Sequence, residues 1–288
     1  MNFKMNRQHR GLYSGIILLV GLTIMAMQPQ NASAKARTAF RVCADPHSLP
    51  SSNDKQQGYE NKIAALFAKD LGLPLEYTWF PQRIGFIRHT LRDNETEDGE
   101  YKCDIVMGVV KNFELAATTK PYYRSSWSMV YIKGRGLDAV KTPEDLANLP
   151  DEVKKTLRLG VFDKSPVAQW VLSQGLVRYM VPYQIMTGDY YGYPGEIVEK
   201  DLVSGKINVA FAWGPIAGYF AKRNPEQEMV VLPMPPTPGI KFDYSIAMGV
   251  RFGDKAWKQQ VNDLIARHRQ DIKDILTEYH VPLLELKD

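Results

Sequence analysis

The run Asn208-Val-Ala-Phe-Ala-Trp213-Gly-Pro-Ile-Ala-Gly-Tyr-Phe-Ala-Lys-Arg223 constrains this chain more than any other stretch. Apolar residues lead into a Gly-Pro turn and then into a segment with helical spacing, so the run reads as a buried strand delivering a helix. A unit of that kind belongs to α/β architecture, where the turn at a strand's carboxyl end is the usual place for a ligand. The residue at that turn is a tryptophan, Trp213, where a receptor for small charged solutes would more usually offer a carboxylate.

The flanking sequence repeats the same grammar. Phe40–Ala44 reads as a buried strand, 58–71 as an amphipathic helix with Ile63, Leu66, Phe67 and Leu71 on one face and Gly72 as its stop, and 74–80 as an alternating strand. A helix over 84–92, an acidic loop over 93–101 and a strand over 103–110 complete a β-α-β-α-β series. A second series follows Gly134-Arg-Gly136: a strand over 156–162, a helix capped by Ser165 with Pro166 at its first position, and a strand over 177–181. It continues with a helix over 195–203 and a strand over 207–213. The stiff segment Pro233-Met-Pro-Pro-Thr-Pro238-Gly leads to a strand over 244–250 and a long amphipathic helix over 254–279. Two such units joined by extended crossings predict a two-lobed α/β protein, each lobe a mostly parallel sheet flanked by helices, with a cleft between them. Residues 38–133 and 242–288 are expected to form lobe 1 and residues 134–241 lobe 2.

Lys4, Arg7 and Arg10 precede an apolar run from Ile16 to Met27, and Ala32-Ser33-Ala34 follows with the small-x-small pattern of a cleavage site. This reads as a secretory signal peptide over residues 1–34, since the apolar run is shorter than the ~20 residues a membrane span needs. The formal net charge of +4 includes those three cations and no acid before residue 35, so residues 35–288 carry +1. That balance, without a dense Lys/Arg run, argues against nucleic acid as a partner, and no later segment predicts a membrane contact after signal cleavage. Export to an oxidising compartment makes Cys43 and Cys103 a disulfide pair, provided their strands are sheet neighbours.

Taken in order, Arg41-Val-Cys-Ala-Asp45, Gly58-Tyr-Glu60, Cys103-Asp-Ile-Val-Met-Gly108, the turn Lys120-Pro-Tyr-Tyr123 and the helix over 254–279 resemble the type II periplasmic substrate-binding proteins, receptor subunits of solute importers. In the amino-acid binders of that superfamily the resemblance implies an arginine after the third strand for the ligand carboxylate and an aspartate ending a second-lobe strand for the amine. Lys111 to Thr119 contains no arginine, and the aspartate position falls near Trp213. An α-amino acid would lose its bidentate clamp and its counter-charge together. A narrower resemblance rests on Phe80-Pro-Gln-Arg-Ile-Gly-Phe86, Thr118-Thr-Lys-Pro-Tyr-Tyr-Arg124-Ser, Ala212-Trp-Gly-Pro-Ile-Ala-Gly-Tyr219 and Ile246-Ala-Met-Gly-Val-Arg251. These phrases resemble the MxaJ and XoxJ subfamily, encoded beside quinoprotein methanol dehydrogenases. That resemblance implies a periplasmic accessory protein, with no cofactor of its own, for the maturation or activity of a pyrroloquinoline-quinone alcohol dehydrogenase as partner.

Asp45, Arg83, Lys111, Tyr190, Tyr191 and Trp213 are the expected cleft and partner-binding residues. Asp45 lies in the loop after the first strand, with a turn-stabilising role as its plainer reading. Arg83 follows a strand end and is placed to donate to a carboxylate or backbone carbonyl, or to form a surface ion pair. Lys111 follows the third strand and offers a cation or is simply solvated. Tyr190 and Tyr191 sit in a glycine-flanked aromatic loop, fit for protein contact or for packing under the second lobe. Trp213 walls the cleft or packs within its lobe. The four histidines beyond residue 34 show no metal-ligand spacing, and no nucleophile elbow, phosphate loop or dinucleotide fingerprint is present, so no metal and no catalysis are expected. Lone carboxylates such as Glu60 and Glu114 leave no signature either way. The alternative function is an importer's solute receptor holding a small neutral or aromatic ligand.

Overall fold

The computed structural model describes residues 37–94, 96, 99–185, 189 and 191–286. The expected signal peptide and Tyr190 lie outside them.

Local sequence accounts for the main elements. The helix Tyr59–Leu71 starts after Gly58, with the Asn61 side chain accepting from the Gly58 backbone N–H at 3.0 Å. It buries Ile63, Ala64 and Phe67, and it stops at Gly72, whose φ of 65° is left-handed backbone that glycine adopts without steric cost. Pro166–Ser173 has proline at its first position and the Ser165 hydroxyl accepting from Ala168 at 3.3 Å, as the sequence predicts. The expected helix over 84–92 contracts to Phe86–His89, because Gly85 before it has a φ of 92° and Thr90 leaves helical geometry. The long C-terminal helix is two helices, Lys255–Arg267 and Arg269–Glu278, broken at His268. The strand expected over 177–181 begins later, at Met180–Tyr183, after a short turn of 3-10 helix at Val177–Tyr179.

Apart from a two-stranded pairing of 47–48 with 52–53, the described strands form one curled mixed sheet. Its order is 75–79, 40–44, 105–110, 243–250, 123–132, 209–213, 159–162, 180–183. At one end Phe40–Ala44 pairs in parallel with both Leu75–Trp79 and Ile105–Val110. At the other, Leu159–Phe162 pairs in parallel with Met180–Tyr183 and Val209–Trp213. Between them run two antiparallel strands, the expected return strand, observed at Asp243–Val250, and Tyr123–Ile132, which sequence patterning does not mark. The crossing strand Tyr123–Ile132 pairs with the return strand Asp243–Val250 through Tyr123 to Ser126, and with Val209–Trp213 from Trp127 onward. Met229–Pro233 adds a further antiparallel partner to its second half. Each end of the sheet is covered on both faces. Phe40, Ile63, Phe67, Trp257 and Leu264 pack on one face of the first end, and Cys43, Phe86, Leu91 and Val106 on the other. At the second end Trp170 and Phe211 belong to one cluster, and Ile197, Ala212 and Phe220 to the opposite one.

Cys43, in the first strand, and Cys103, two residues before its parallel neighbour Ile105–Val110, form the expected disulfide with Cα atoms 5.4 Å apart. The two halves also meet along the helix Gly214–Arg223, which leaves no room for side chains on one face. A Cβ on Gly214 would come 2.4 Å from the Ser126 carbonyl oxygen, and one on Gly218 would come 2.0 Å from that of His280. The Tyr219 and Tyr279 rings stack at 5.7 Å beside this contact.

Two measurements follow. Urea unfolding of a Cys43→Ala, Cys103→Ala variant should show a loss of about 4 kcal/mol, the chain-entropy figure for a loop of this span; unchanged stability would contradict a structural role for the bond. Gly218→Ala should destabilise by roughly 1–3 kcal/mol through overpacking on a backbone carbonyl. Gly253→Ala, where an added Cβ meets nothing within 4 Å, is the control expected to be neutral.

Candidate functional site

The carboxyl ends of the parallel strands from both halves surround a cavity of about 520 Å³. The first half supplies Tyr59 and Glu60, at the start of the helix that follows the first strand, and Gly108 to Val110 at the end of the third. The second supplies Lys164, Ser165 and Pro166 after Leu159–Phe162, together with Trp213 at the end of its own strand. Tyr123, Trp127, Tyr244 and Ile246 contribute from the crossing and return strands. This is the strand-end crevice where α/β sheets bind ligands, and its size suits a small molecule or a single side chain.

The lining carries six aromatic side chains, Tyr59, Phe113, Tyr123, Trp127, Trp213 and Tyr244, and little charge. Among the described residues no arginine lines it, and Glu60 and Lys164 are its one carboxyl and one ammonium. Trp213 and Tyr244 meet edge to face with ring centroids 6.0 Å apart. The Tyr59 hydroxyl shares hydrogen bonds of 3.0 Å with both Ser51 and Tyr123, and the Tyr122 hydroxyl donates to the Met107 carbonyl at 2.9 Å. Burial pushes the hydroxyls of Tyr59, Tyr122 and Tyr123 well above the ordinary phenol range, so all three stay neutral donors.

Glu60 is the anomaly. Its carboxyl rests against Gly108, where an added Cβ would lie 2.2 Å from Oε1. No described residue bonds or ion-pairs with that carboxyl; the residue's one hydrogen bond of this kind is its backbone N–H to the Ser51 carbonyl. Burial first, and repulsion from Asp45 second, push the Glu60 carboxyl up to about 8.

A second cavity, of about 370 Å³, opens beside the first. Here loops from the two halves touch. The Arg83 guanidinium donates to the Asp189 backbone carbonyl. The Asp45 carboxylate accepts from the backbone N–H groups of His47 at 2.8 Å and Gln82 at 2.7 Å, tying together the loops after the first two strands. The His47 ring lies 5.4 Å from that of Tyr191. Tyr193 is anchored by donating to the Glu199 carboxylate, with its ring 5.8 Å from Phe220.

Of the residues singled out by sequence, Asp45 and Arg83 thus share this mouth, Tyr191 faces it from the other half, and Trp213 lines the inner cavity while packing on the first half's core. Lys111 is exposed just beyond Ile105–Val110 and lines none of these cavities. Tyr190 lies outside the described residues. Tyr59, Tyr123, Trp127, Lys164 and Tyr244 also line the inner cavity without standing out in the sequence, as does Glu60, a lone carboxylate there. The signal for Glu60 was its place directly after a strand-loop-helix junction, where this fold puts its ligands.

Among the described residues no group of His, Cys, Asp and Glu could hold a metal ion. No protein-family model matches the sequence. The chain is similar in structure to the periplasmic binding protein XoxJ from Methylobacterium extorquens AM1, at 31% identity and a TM-score of 0.67, over 86% of this chain and 100% of that one. It is similar to MxaJ from Methylophaga aminisulfidivorans MPT at 24% identity and a TM-score of 0.69, over 85% of this chain and 100% of that one. Protein MoxJ of Methylorubrum extorquens is 24% identical over 309 residues, covering 98% of this chain and 99% of that protein.

The Glu60 environment predicts a pH signature. Because its folded pKa is raised above the ordinary value of 4.5 to about 8, its ionisation opposes folding. Stability should fall as pH rises between those values and then level off. His268, raised by hydrogen bonds to Asp271 and Asp70, also loses its contribution as pH rises, but it does so equally in a variant. Glu60→Gln should therefore gain stability over the wild type by up to a few kcal/mol at pH 9, at about 1.4 kcal/mol per unit, and nothing at pH 4. Parallel wild-type and variant curves of melting temperature against pH would refute the assignment.

Proposed function

Because this chain belongs to the MxaJ and XoxJ family of periplasmic binding proteins, we propose that it is a non-catalytic accessory protein of a pyrroloquinoline-quinone methanol dehydrogenase, assisting that enzyme's maturation or activity through the cleft between its two halves. The likeness to XoxJ over the whole of that protein carries the reading. The MoxJ relative supports the coarser statement that this is a periplasmic binding protein associated with methanol oxidation. Its relatives imply a periplasmic location, and in the described residues no helix is long and apolar enough to cross a membrane. Cleavage after Ala34 would release it there. In this proposal the lobes are 38–133 with 242–288, and 134–241, hinged along the strand Tyr123–Ile132.

The inner cavity supports a partner other than an α-amino acid, since no guanidinium lines it to clamp a carboxylate. Its mouth suits a macromolecule. Ile84 beside Arg83 is 86% exposed, and Ile185 and Tyr191 in the facing loop are 55% and 71% exposed. Apolar and aromatic side chains held open at a rim are the ordinary anchors of a protein contact.

The test is binding of the exported protein to purified methanol dehydrogenase from the same periplasm, followed by biolayer interferometry. Ile84→Asp and Tyr191→Ala should each weaken binding about tenfold or more, the effect of losing an anchor residue. Leu172→Ala, exposed on the helix Pro166–Ser173, should leave it unchanged. Association with an importer's membrane subunits and with no dehydrogenase would overturn the reading.

A further inference from the structure

We infer that the floor of the inner cavity at Glu60 is a binding site for an alkylammonium group, seated against the carboxylate and among the surrounding aromatic rings. The cavity of about 520 Å³ holds one carboxyl group and, facing it from the other half, one lysine. That carboxyl has no hydrogen-bonding or ion-pairing partner among the described residues; the Tyr59 hydroxyl bonds Ser51 and Tyr123, and the Tyr122 hydroxyl donates to the Met107 carbonyl. Glu60 is half-buried, lining the cavity; a carboxylate partly removed from water without a partner is disfavoured, and an incoming cation is the group that relieves it. The aromatic part of the lining selects the same sign. Phe113, Trp127, Trp213 and Tyr244 present ring systems to the cavity. Ring faces attract cations and disfavour anions. An ammonium on an alkyl stem satisfies both the carboxyl and the apolar walls.

The same chemistry has two sources, a free small amine or a lysine side chain carried on a partner segment. The inference rests on the cavity alone, so it stands or falls separately from the dehydrogenase reading.

Titration of Glu60 supplies the diagnostic. The charged and titratable groups around it are Asp45 after the first strand, Tyr59 on its own helix, Tyr77 on the second strand, Tyr122 and Tyr123 at the crossing strand, and Lys164 across the cavity. Its carboxyl, held up to about 8, is mostly protonated at neutral pH. Ammonium binding must displace that proton.

The experiment is calorimetric titration of the exported protein with n-butylammonium at pH 6, 7.5 and 9, with 1-butanol as the uncharged control. Affinity should rise with pH, by up to roughly a hundredfold from pH 6 to pH 9 as the carboxyl ionises. Glu60→Gln, with its fold checked by melting, should lose at least tenfold in affinity at pH 9 and all of the pH dependence. Binding of Nα-acetyl-lysine amide as well would support the side-chain source, and binding of n-butylammonium alone the small-molecule source. Equal binding of butanol, or wild-type affinity that is flat or falls with pH, would overturn the proposal whatever the variant does. A dehydrogenase complex without ammonium binding would remove this inference and leave the accessory role; ammonium binding without a dehydrogenase would do the reverse.

Discussion

Ten residues, Tyr123–Ile132, hydrogen-bond to the return strand through their first four positions and to the second half's strands through the remainder. The two halves are therefore not independent bodies joined by string, because a ladder cannot slide without inverting every side chain on it. Arg124, nearly buried, fixes the junction by donating to Asp243 through Nε at 3.0 Å and to the Glu285 carbonyl at 3.0 Å. The Ser125 hydroxyl donates to the Pro282 carbonyl at 2.7 Å. The C-terminal tail is in this way sewn onto the strand that crosses. Gly214 and Gly218 bring the second half's helix onto the same place.

With the rear of the cleft fixed, its front is set by loops. Arg83 to the Asp189 carbonyl and His47 against Tyr191 join the halves at the mouth. In a solute receptor the ligand itself supplies much of the free energy that brings two lobes together. Here part of that adhesion is intrinsic, and the exposed side chains beside it, Ile84 and Ile185, face outward. A mouth that holds itself and shows apolar surface is suited to contact along its rim as well as within.

How much of this was legible follows from what each segment must satisfy. The first helix could be read because its apolar period, its start and its glycine stop all agree. The strand Tyr123–Ile132 could not. It is buried along nearly its whole length, so no polar-apolar alternation marks it, and Arg124, Ser125, Ser126 and Ser128 resemble a loop. Arg124 and Ser125 are satisfied by tertiary partners far along the chain, which local patterning cannot anticipate. The break at His268 has the same origin, since its ring is held by Asp70 at 2.6 Å and Asp271 at 2.8 Å. The disulfide was legible because compartment and strand adjacency suffice. The cavity's ring of aromatic residues was not, because Tyr59, Trp127 and Tyr244 come from three distant segments whose convergence is a property of topology alone.

Glu60 and Gly108 are best understood together. Glycine near the end of a buried strand weakens that strand through backbone entropy and lost packing, and a carboxyl without a partner inside a cavity lowers stability further. Either residue alone could be an accident of a tolerant fold. Yet the glycine's missing side chain is what leaves space for the carboxyl, since any Cβ at position 108 would intrude to 2.2 Å from Oε1. Two local costs that only make sense jointly are the mark of a site kept for what it does rather than for the stability of the chain. An inner cavity with no guanidinium in its lining holds one carboxyl, and the surroundings of that acid set this cavity apart from an amino-acid clamp.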